Sequence, residues 1–175
     1  MVYVFLTTGH ETVEALSVVD LLRRAKIELT TVSITGMLEV TSSLGITVKA
    51  DKLFNEIDFT DAKALILPGG PGTGNYLEHQ ALCDLIVQHY KAGKLLAAIC
   101  AAPSVLAKLG IDVTSTVYPT MKELIKDYCD APVCIDGNVI TGEALAASVD
   151  FSLEIIKYLL NEEEAMKVAN GVVKR

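Results

Sequence analysis

One cysteine of this sequence stands where a reactive thiol is expected. Leu95 to Ile99 are all apolar and lead into Cys100, and a helical pattern opens at Pro103. A short apolar run without alternation predicts a strand buried on both faces, and proline suits the first turn of a helix. We therefore place Cys100 on a tight strand-to-helix turn, where helix amides would lower its thiol pKa and bind an oxyanion. A merely buried cysteine is the alternative.

A single acid on an otherwise apolar helix face is the second candidate. Glu14 lies at helical spacing from Val18 and Leu22, on the face of a predicted helix over 11–25 that should pack inward. One interpretation places its carboxyl at the margin of that face, near solvent. The other is a partly buried carboxyl with a raised pKa, which stays protonated and donates a hydrogen bond.

The third candidate is a glycine-rich run, Pro68 to Gly74, which follows a predicted strand over 63–67. It contains four glycines in seven residues, so the backbone must turn sharply or be approached closely. Its spacing fits neither a Walker loop nor the dinucleotide-binding fingerprint. Either the run meets packing demands alone, or its amides at Gly69 and Gly70 complete an oxyanion site beside Cys100.

The elements that must position these residues alternate between strand and helix. We predict strands over 2–6, 27–34, 63–67, 95–99 and 113–117, and hairpins over 37–49 and 132–140. Helices are predicted over 11–25, 121–126, 145–160 and 162–173, with one more after Pro103 and one or two over 77–90. This alternation favours one α/β domain over 1–175, with a mostly parallel sheet covered by helices on both faces. Ligands bind such sheets beyond the carboxyl ends of the strands, so the loops containing Gly9, Gly70 and Cys100 should meet.

Composition limits the partners and the compartment. The 175-residue chain has a net charge of −7, which argues against nucleic acid, and no apolar run long enough for a membrane helix. Its N-terminus lacks the basic region and cleavage site of a signal peptide, and its four cysteines form no disulfide framework. We expect a cytoplasmic protein.

The remaining cysteines and histidines offer little chemistry by themselves. Cys129 and Cys134 lack further ligands for zinc, and Cys83 falls among apolar helix residues, so we predict no metal site and a core position for Cys83. We expect His79 and His89 to be solvated and His10 to lie at the surface. No histidine adjoins Cys100 in the sequence, so a hydrolytic Cys–His pair is not visible.

Three motifs together resemble a known family. Gly9-His-Glu-Thr-Val-Glu14, Leu67-Pro-Gly-Gly70 and Ala97-Ala-Ile-Cys-Ala-Ala-Pro103, in this order, are similar to the ThiJ/PfpI superfamily, and in particular to the branch of the parkinsonism-associated "DJ-one" protein. The resemblance covers nearly the whole chain. It implies a flavodoxin-like three-layer α/β sandwich, a homodimer, and no metal or organic cofactor.

The resemblance also implies roles for individual residues. Cys100 would be the reactive cysteine in a strained elbow, Glu14 would hydrogen-bond its sulfur, and Gly70 and Ala101 would supply amides to an oxyanion or an oxidised sulfur. Two positions depart from relatives: Ala101 replaces the histidine that follows the cysteine in the protease-like branch, and Tyr118 replaces a histidine of the human-type branch. Tyrosine is a poor base at neutral pH.

A third departure is Leu44, which stands where human-type relatives have an arginine near the site and makes the entrance less basic.

Three functions compete at this stage. Cys100 could attack reactive carbonyls such as methylglyoxal, or adducts of them on protein side chains or nucleotides, as a glyoxalase or deglycase. It could instead be oxidised to a sulfinic acid in a non-catalytic redox sensor or chaperone. A cysteine peptidase or amidase is the third function, which Ala101 and Tyr118 disfavour.

Overall fold

The computed structural model describes residues 1–174. Its strands are β1 (Val2–Leu6), β2 (Leu29–Ser33), β3 (Glu39–Thr41), β4 (Thr47–Lys49), β5 (Lys52–Leu53), β6 (Ala64–Leu67), β7 (Leu95–Ile99), β8 (Thr114–Ser115), β9 (Asp127–Tyr128), β10 (Val133–Asp136) and β11 (Val139–Gly142). Its α-helices are α1 (Thr12–Arg24), α2 (Gly74–Glu78), α3 (Gln80–Lys91), α4 (Pro103–Lys108), α5 (Ser148–Leu159) and α6 (Glu162–Gly171).

Seven strands form the central sheet, in the order β10-β11-β7-β6-β1-β2-β5. Its strands pair in parallel except at one edge, where β10 and β11 form an antiparallel hairpin. The adjacent central strands β7, β6 and β1 are fully buried, as their uniformly apolar sequences predict. Their carboxyl ends lie at the same edge of the sheet.

Helices cover both faces of this sheet. Because side chains alternate along a strand, Val2 and Val4 of β1 point to one face and Tyr3 and Phe5 to the other. The first face packs against α1, α5 and α6, and the second against α2, α3 and α4. The predicted flavodoxin-like three-layer sandwich is therefore confirmed.

Differences from the predicted elements are confined to short segments. The predicted strand over 113–117 is only the two-residue β8, which pairs with β9, and the predicted helix over 121–126 is a 3-10 helix over Pro119–Leu124. Strand β5 was not predicted, since two residues show no periodicity. Both predicted hairpins are present.

One buried hydroxyl connects a helix to the loop after β6. The side chain of Tyr76 in α2 is fully buried, and its hydroxyl lies 3.1 Å from the carbonyl oxygen of Phe5 and 3.2 Å from that of Pro68. This contact links the ends of β1 and β6, where the glycine-rich run begins. None of the helices described within residues 1–174 has the length and apolarity to cross a membrane.

Candidate active site

Three loops converge beyond the carboxyl ends of β1, β6 and β7. The amide of Glu11 donates to the carbonyl of Gly69 at 2.9 Å, and the amide of Gly72 donates to that of Gly9 at 3.0 Å. These backbone bonds hold the loop after β1 against the loop after β6. Cys100 directly follows β7, so the predicted meeting of the three loops is confirmed.

Cys100 occupies a sharp elbow with a backbone conformation unusual for a residue with a side chain. Its φ is 64°, in the left-handed region, where a non-glycine residue is strained. Two backbone bonds hold it there: its N–H donates to Gly142 at 2.8 Å, and its carbonyl accepts from the N–H of Tyr118 at 2.8 Å. The elbow therefore exposes part of the thiol at the end of the sheet.

Glu14 lies inside the protein, as the second of its two interpretations predicted. It is in the first turn of α1 and only 1% exposed. Its Oε2 accepts a 2.8 Å hydrogen bond from the N–H of Gly69, whereas Oε1 is buried without a hydrogen-bond partner of good geometry. Burial raises the pKa of this carboxyl from 4.5 to about 7, against the opposing effect of hydrogen bonds from Cys100 and Gly69.

The glycines beside these two side chains allow their close approach. A Cβ on Gly69 would lie 2.6 Å from Cys100 Cβ and 2.7 Å from Glu14 Oε2, closer than real atoms pack. Gly70 has a φ of 102°, and a Cβ there would lie 2.6 Å from the amide of Glu11. The glycine-rich run thus has demanding packing requirements and also places the amide of Gly70 against the sulfur of Cys100.

The electrostatics of the thiol correct one expectation. We expected the turn to lower the pKa of Cys100, but burial, followed by the charge and hydrogen bond of Glu14, raises it to about 12. Amides from Gly70 and Ala101 oppose this rise and do not overcome it. The carboxyl of Glu14 is therefore the first group of the pair to ionise, and Cys100 is a thiol near neutral pH.

A pocket of about 430 Å³ opens onto this pair. Its floor includes Glu14, Cys100 and the two amide-bearing residues Gly70 and Ala101, and Tyr118, 43% exposed, lies in its wall. Sequence reasoning missed the other lining residues, because no motif marks them; they include Thr120, Met121, Ala144 and Leu145. Residues 1–174 contain no group of three or more His, Cys, Asp or Glu side chains arranged for a metal ion.

The predictions for the histidines were wrong. His10 is fully buried rather than at the surface, with Nδ1 2.9 Å from the carbonyl of Thr7 and Nε2 unpartnered. His89 is 4% exposed and bonded through Nε2 to the carbonyl of Leu95 at 2.9 Å, and His79 is half-buried at the start of α3, where Nδ1 accepts the N–H of Leu82. Burial lowers the pKa of both His10 and His89. Among the described residues, no histidine lines the Cys100 pocket.

The family follows from comparison with known proteins. The model of the DJ-1/PfpI family matches residues 1–158. The chain belongs to the DJ-1/PfpI family. It is 34% identical to Protein dj-1beta of Drosophila melanogaster, over 97% of this chain and 95% of the relative, and 32% identical to the Parkinson disease protein 7 homolog of Danio rerio, over 94% and 92%.

Solved structures of the family are similar throughout. Toxoplasma gondii DJ-1, in an oxidized form, superposes with a TM-score of 0.95 at 31% identity, over 98% of this chain and 97% of that one. Drosophila melanogaster DJ-1beta gives a TM-score of 0.93 at 33% identity, over 98% and 96%. Cys83, predicted to belong to the core, is buried. The roles of Cys100, Glu14, Gly69, Gly70, Ala101 and Tyr118 stay predictions, although the structure brings the six residues together.

Burial of Glu14 predicts a specific dependence of stability on pH. Its carboxyl has an ordinary pKa of 4.5 and a folded pKa of about 7, so the folded protein binds the proton more tightly and stability falls as pH rises through this interval. Glutamine keeps the shape and the acceptor for Gly69 but carries no charge. We expect Glu14→Gln to raise the free energy of unfolding at about pH 8 by up to about 3 kcal/mol, and much less at about pH 4.

Urea unfolding at both pH values measures this difference. The matched control is Glu78→Gln, which neutralises an exposed helical acid and should change stability little at either pH. An equal effect of Glu14→Gln at both pH values would show that Glu14 titrates normally.

Proposed function

We propose that this protein is a cytoplasmic stress-response protein whose Cys100 acts on reactive carbonyls, either methylglyoxal itself or its adducts on protein side chains or nucleotides. The DJ-1/PfpI family includes deglycases, glyoxalases and proteases, which supports an enzyme with a cysteine nucleophile. The observation that carries the proposal is the buried Glu14 carboxyl, whose pKa is raised to about 7, next to the Cys100 thiol and its two sulfur-directed amides. The pocket has room for methylglyoxal or for an adduct of it on a side chain.

The reaction begins when the ionised carboxylate of Glu14 takes the proton of the Cys100 thiol, which places the negative charge on sulfur. Amides of Gly70 and Ala101 stabilise that charge, whereas Gly69 alone donates to the carboxyl. The thiolate adds to the aldehyde carbon, a carbon–sulfur bond forms, and the carbonyl electrons move onto oxygen. The same two amides can then stabilise the oxyanion, and Glu14 gives it a proton.

The second half of the reaction moves a hydrogen between the two carbons. Glu14, now a carboxylate, removes the hydrogen from the former aldehyde carbon, the electron pair forms a double bond to the neighbouring carbon, and the proton of the new hydroxyl moves to the oxygen of the former ketone. Protonation of the neighbouring carbon then gives a thioester of lactate on Cys100. Water releases lactate and restores the thiol, so one methylglyoxal and one water yield one lactic acid without an external oxidant.

Peptide hydrolysis is less well supported. A cysteine peptidase needs an imidazole to protonate the leaving amine. Ala101 follows the cysteine, Tyr118 stands in the pocket wall, and the pocket lining contains no histidine in the part of the chain described here. An aldehyde substrate has no leaving amine and needs only the carboxyl.

Lactate production from methylglyoxal tests the carbonyl reaction. We expect Cys100→Ala to abolish it and Glu14→Gln to lower kcat by a factor of about 100 or more, because no other carboxyl touches the thiol. The rate should rise as pH passes about 7, where the pair loses its first proton. Chiral lactate assay measures both effects.

Cys129→Ser is the matched control, since it removes a thiol outside the pocket and should retain activity. Removal of methylglyoxal adducts from a glycated peptide is measured in the same variants. If Cys100→Ala matches the wild type with both substrates, the protein is not an enzyme of this class.

Oxidation of Cys100 is the second candidate function. The amides of Gly70 and Ala101 and the protonated carboxyl of Glu14 supply three donors around the sulfur, which suits the oxygens of a sulfinate. The solved structure of Toxoplasma gondii DJ-1 is described as oxidized, which also favours this chemistry. In this case the protein would be a redox sensor or chaperone.

Mass spectrometry after mild peroxide treatment separates this candidate from nonspecific oxidation. We expect a sulfinic acid at Cys100, about 32 Da heavier, with Glu14→Gln shifting the product toward the irreversible sulfonic acid. Cys83, which is buried in the core, serves as the internal control and should stay reduced. Equal oxidation of Cys83 and Cys100 would refute selective sensing.

A homodimer is the proposed assembly. The outer side of α1 exposes Val13 and Leu16, and the neighbouring hairpin exposes Leu44 and Ile46. The amide of Ser43 in that hairpin donates to the carbonyl of His10, so these apolar side chains belong to adjoining segments. A partner copy of the chain would remove them from water.

Sedimentation equilibrium measures the mass directly. We expect twice the chain mass of 18.8 kDa for the wild type and a shift toward monomer for Leu16→Asp, because a charge would be buried at the interface. Tyr158→Asp, at an exposed position on α5, is the control and should remain dimeric. A wild-type monomer would exclude this assembly.

A further inference from the structure

Two cysteines outside the Cys100 pocket lie in contact with each other. Cys129 is half-buried after β9, and Cys134 is buried in β10. The thiol of Cys129 lies close enough to Cys134 to raise its pKa, although four residues separate the two in the chain. Neither residue lines the pocket around Cys100, so this pair is a separate chemical feature.

Backbone contacts with β8 hold the two thiols together. The amide of Cys129 donates to the carbonyl of Ser115 at 2.9 Å, which continues the parallel pairing of β9 with β8. The thiol of Cys134 donates to the carbonyl of Thr114 at 3.6 Å. Since Thr114 and Ser115 are consecutive, both cysteines lie against the same short strand.

The loop between the two cysteines has a fixed course. The amide of Ala131 donates to the carbonyl of Cys129 at 3.0 Å, and the amide of Glu143 donates to the carbonyl of Pro132 at 2.9 Å. The first bond tightens the turn and the second connects it to the end of β11. The cysteines are therefore held together by the fold and not by chance contact of mobile side chains.

We propose that Cys129 and Cys134 form a reversible disulfide when a hydroperoxide oxidises the pair. Hydrogen peroxide transfers one oxygen to the sulfur of Cys129, giving a sulfenic acid and one water. The sulfur of Cys134 then attacks that sulfur, the S–S bond forms, and the hydroxyl leaves with the thiol proton as a second water. Two thiols are thus oxidised by two electrons, and one peroxide is reduced to two waters.

The surroundings of the two thiols indicate which one the peroxide oxidises first. Cys129 is the half-exposed member and meets the oxidant first. Burial, together with the neighbouring Cys129, raises the pKa of Cys134 to about 12, so Cys134 stays a thiol until its partner is oxidised. The described residues offer the pair no third metal-ligating side chain, which favours redox chemistry over metal binding.

The disulfide would join two segments near the Cys100 pocket. The segment from β8 to β9 contains Tyr118, Thr120 and Met121, which line that pocket. A disulfide between Cys129 and Cys134 would connect the C-terminal end of this segment to β10, the edge strand of the central sheet. The inference does not depend on the reaction of Cys100, and either can fail without the other.

The sequence makes the test direct, because trypsin places the reactive cysteines in separate peptides. Cys129 and Cys134 share the peptide over 127–157, and Cys100 falls in the peptide over 95–108. The reduced full-length protein is treated with hydrogen peroxide, alkylated and digested with trypsin. The masses of its peptides are then measured by mass spectrometry. We expect the 127–157 peptide to become about 2 Da lighter and unalkylated, and dithiothreitol to reverse the change.

Variants identify the partners of the bond. Cys129→Ser and Cys134→Ser should each abolish the lighter product, and Cys100→Ser should leave it unchanged. Cys134 is buried, so Cys134→Ser could fold poorly. The decisive measurements are therefore the peptide mass in the wild type and in Cys129→Ser, which changes a half-buried residue. Alkylation of both cysteines after peroxide treatment, or separate sulfinic acids at either of them, would overturn the proposal.

Discussion

The buried contact between the Glu14 carboxyl and the Cys100 thiol is the constraint on which the rest of the site depends. A charge removed from water costs several kcal/mol unless hydrogen bonds and fixed dipoles replace the solvent. Here the replacements are backbone amides: Gly69 donates to the carboxyl, and Gly70 and Ala101 donate to the sulfur. These amides replace only part of the lost solvation, because the pKa values of Glu14 and Cys100 both remain raised. That imbalance keeps one proton exchangeable near neutral pH.

Amides can act in this way only if the backbone comes within hydrogen-bonding distance of both side chains. The glycines of the loop after β6 make the approach possible, since a Cβ on Gly69 would overlap Cys100 and Glu14. The left-handed backbone of Cys100 turns its thiol toward those amides, and bonds to Gly142 and Tyr118 hold it there. Parallel strands β1, β6 and β7 supply the common edge. The sheet therefore determines the chemistry through backbone positions more than through side chains.

Local patterns predicted the features that are set locally. The uniformly apolar β1, β6 and β7, the elbow at Cys100 and the inward position of Glu14 all follow from residue type and spacing. Burial of His10 and His89 could not be predicted, because each imidazole is held by a backbone carbonyl that becomes available only in the folded chain. The predicted direction of the Cys100 pKa shift was wrong because burial of the thiol, the largest cause of the rise, depends on the packing of the folded chain.

Sulfur chemistry in this fold depends on what touches each thiol. The groups that influence Cys100 are a carboxyl and two amides, and none of them is a second sulfur. A sulfenic acid there has no adjacent thiol to condense with, so further oxidation to a sulfinate, stabilised by three donors, is the available path. Cys129 has Cys134 beside it, so the proposed disulfide would form before a second oxygen can add. The same oxidant would then give a sulfinate at Cys100 and a thiol-reversible disulfide at Cys129, because only Cys129 has a second thiol beside it.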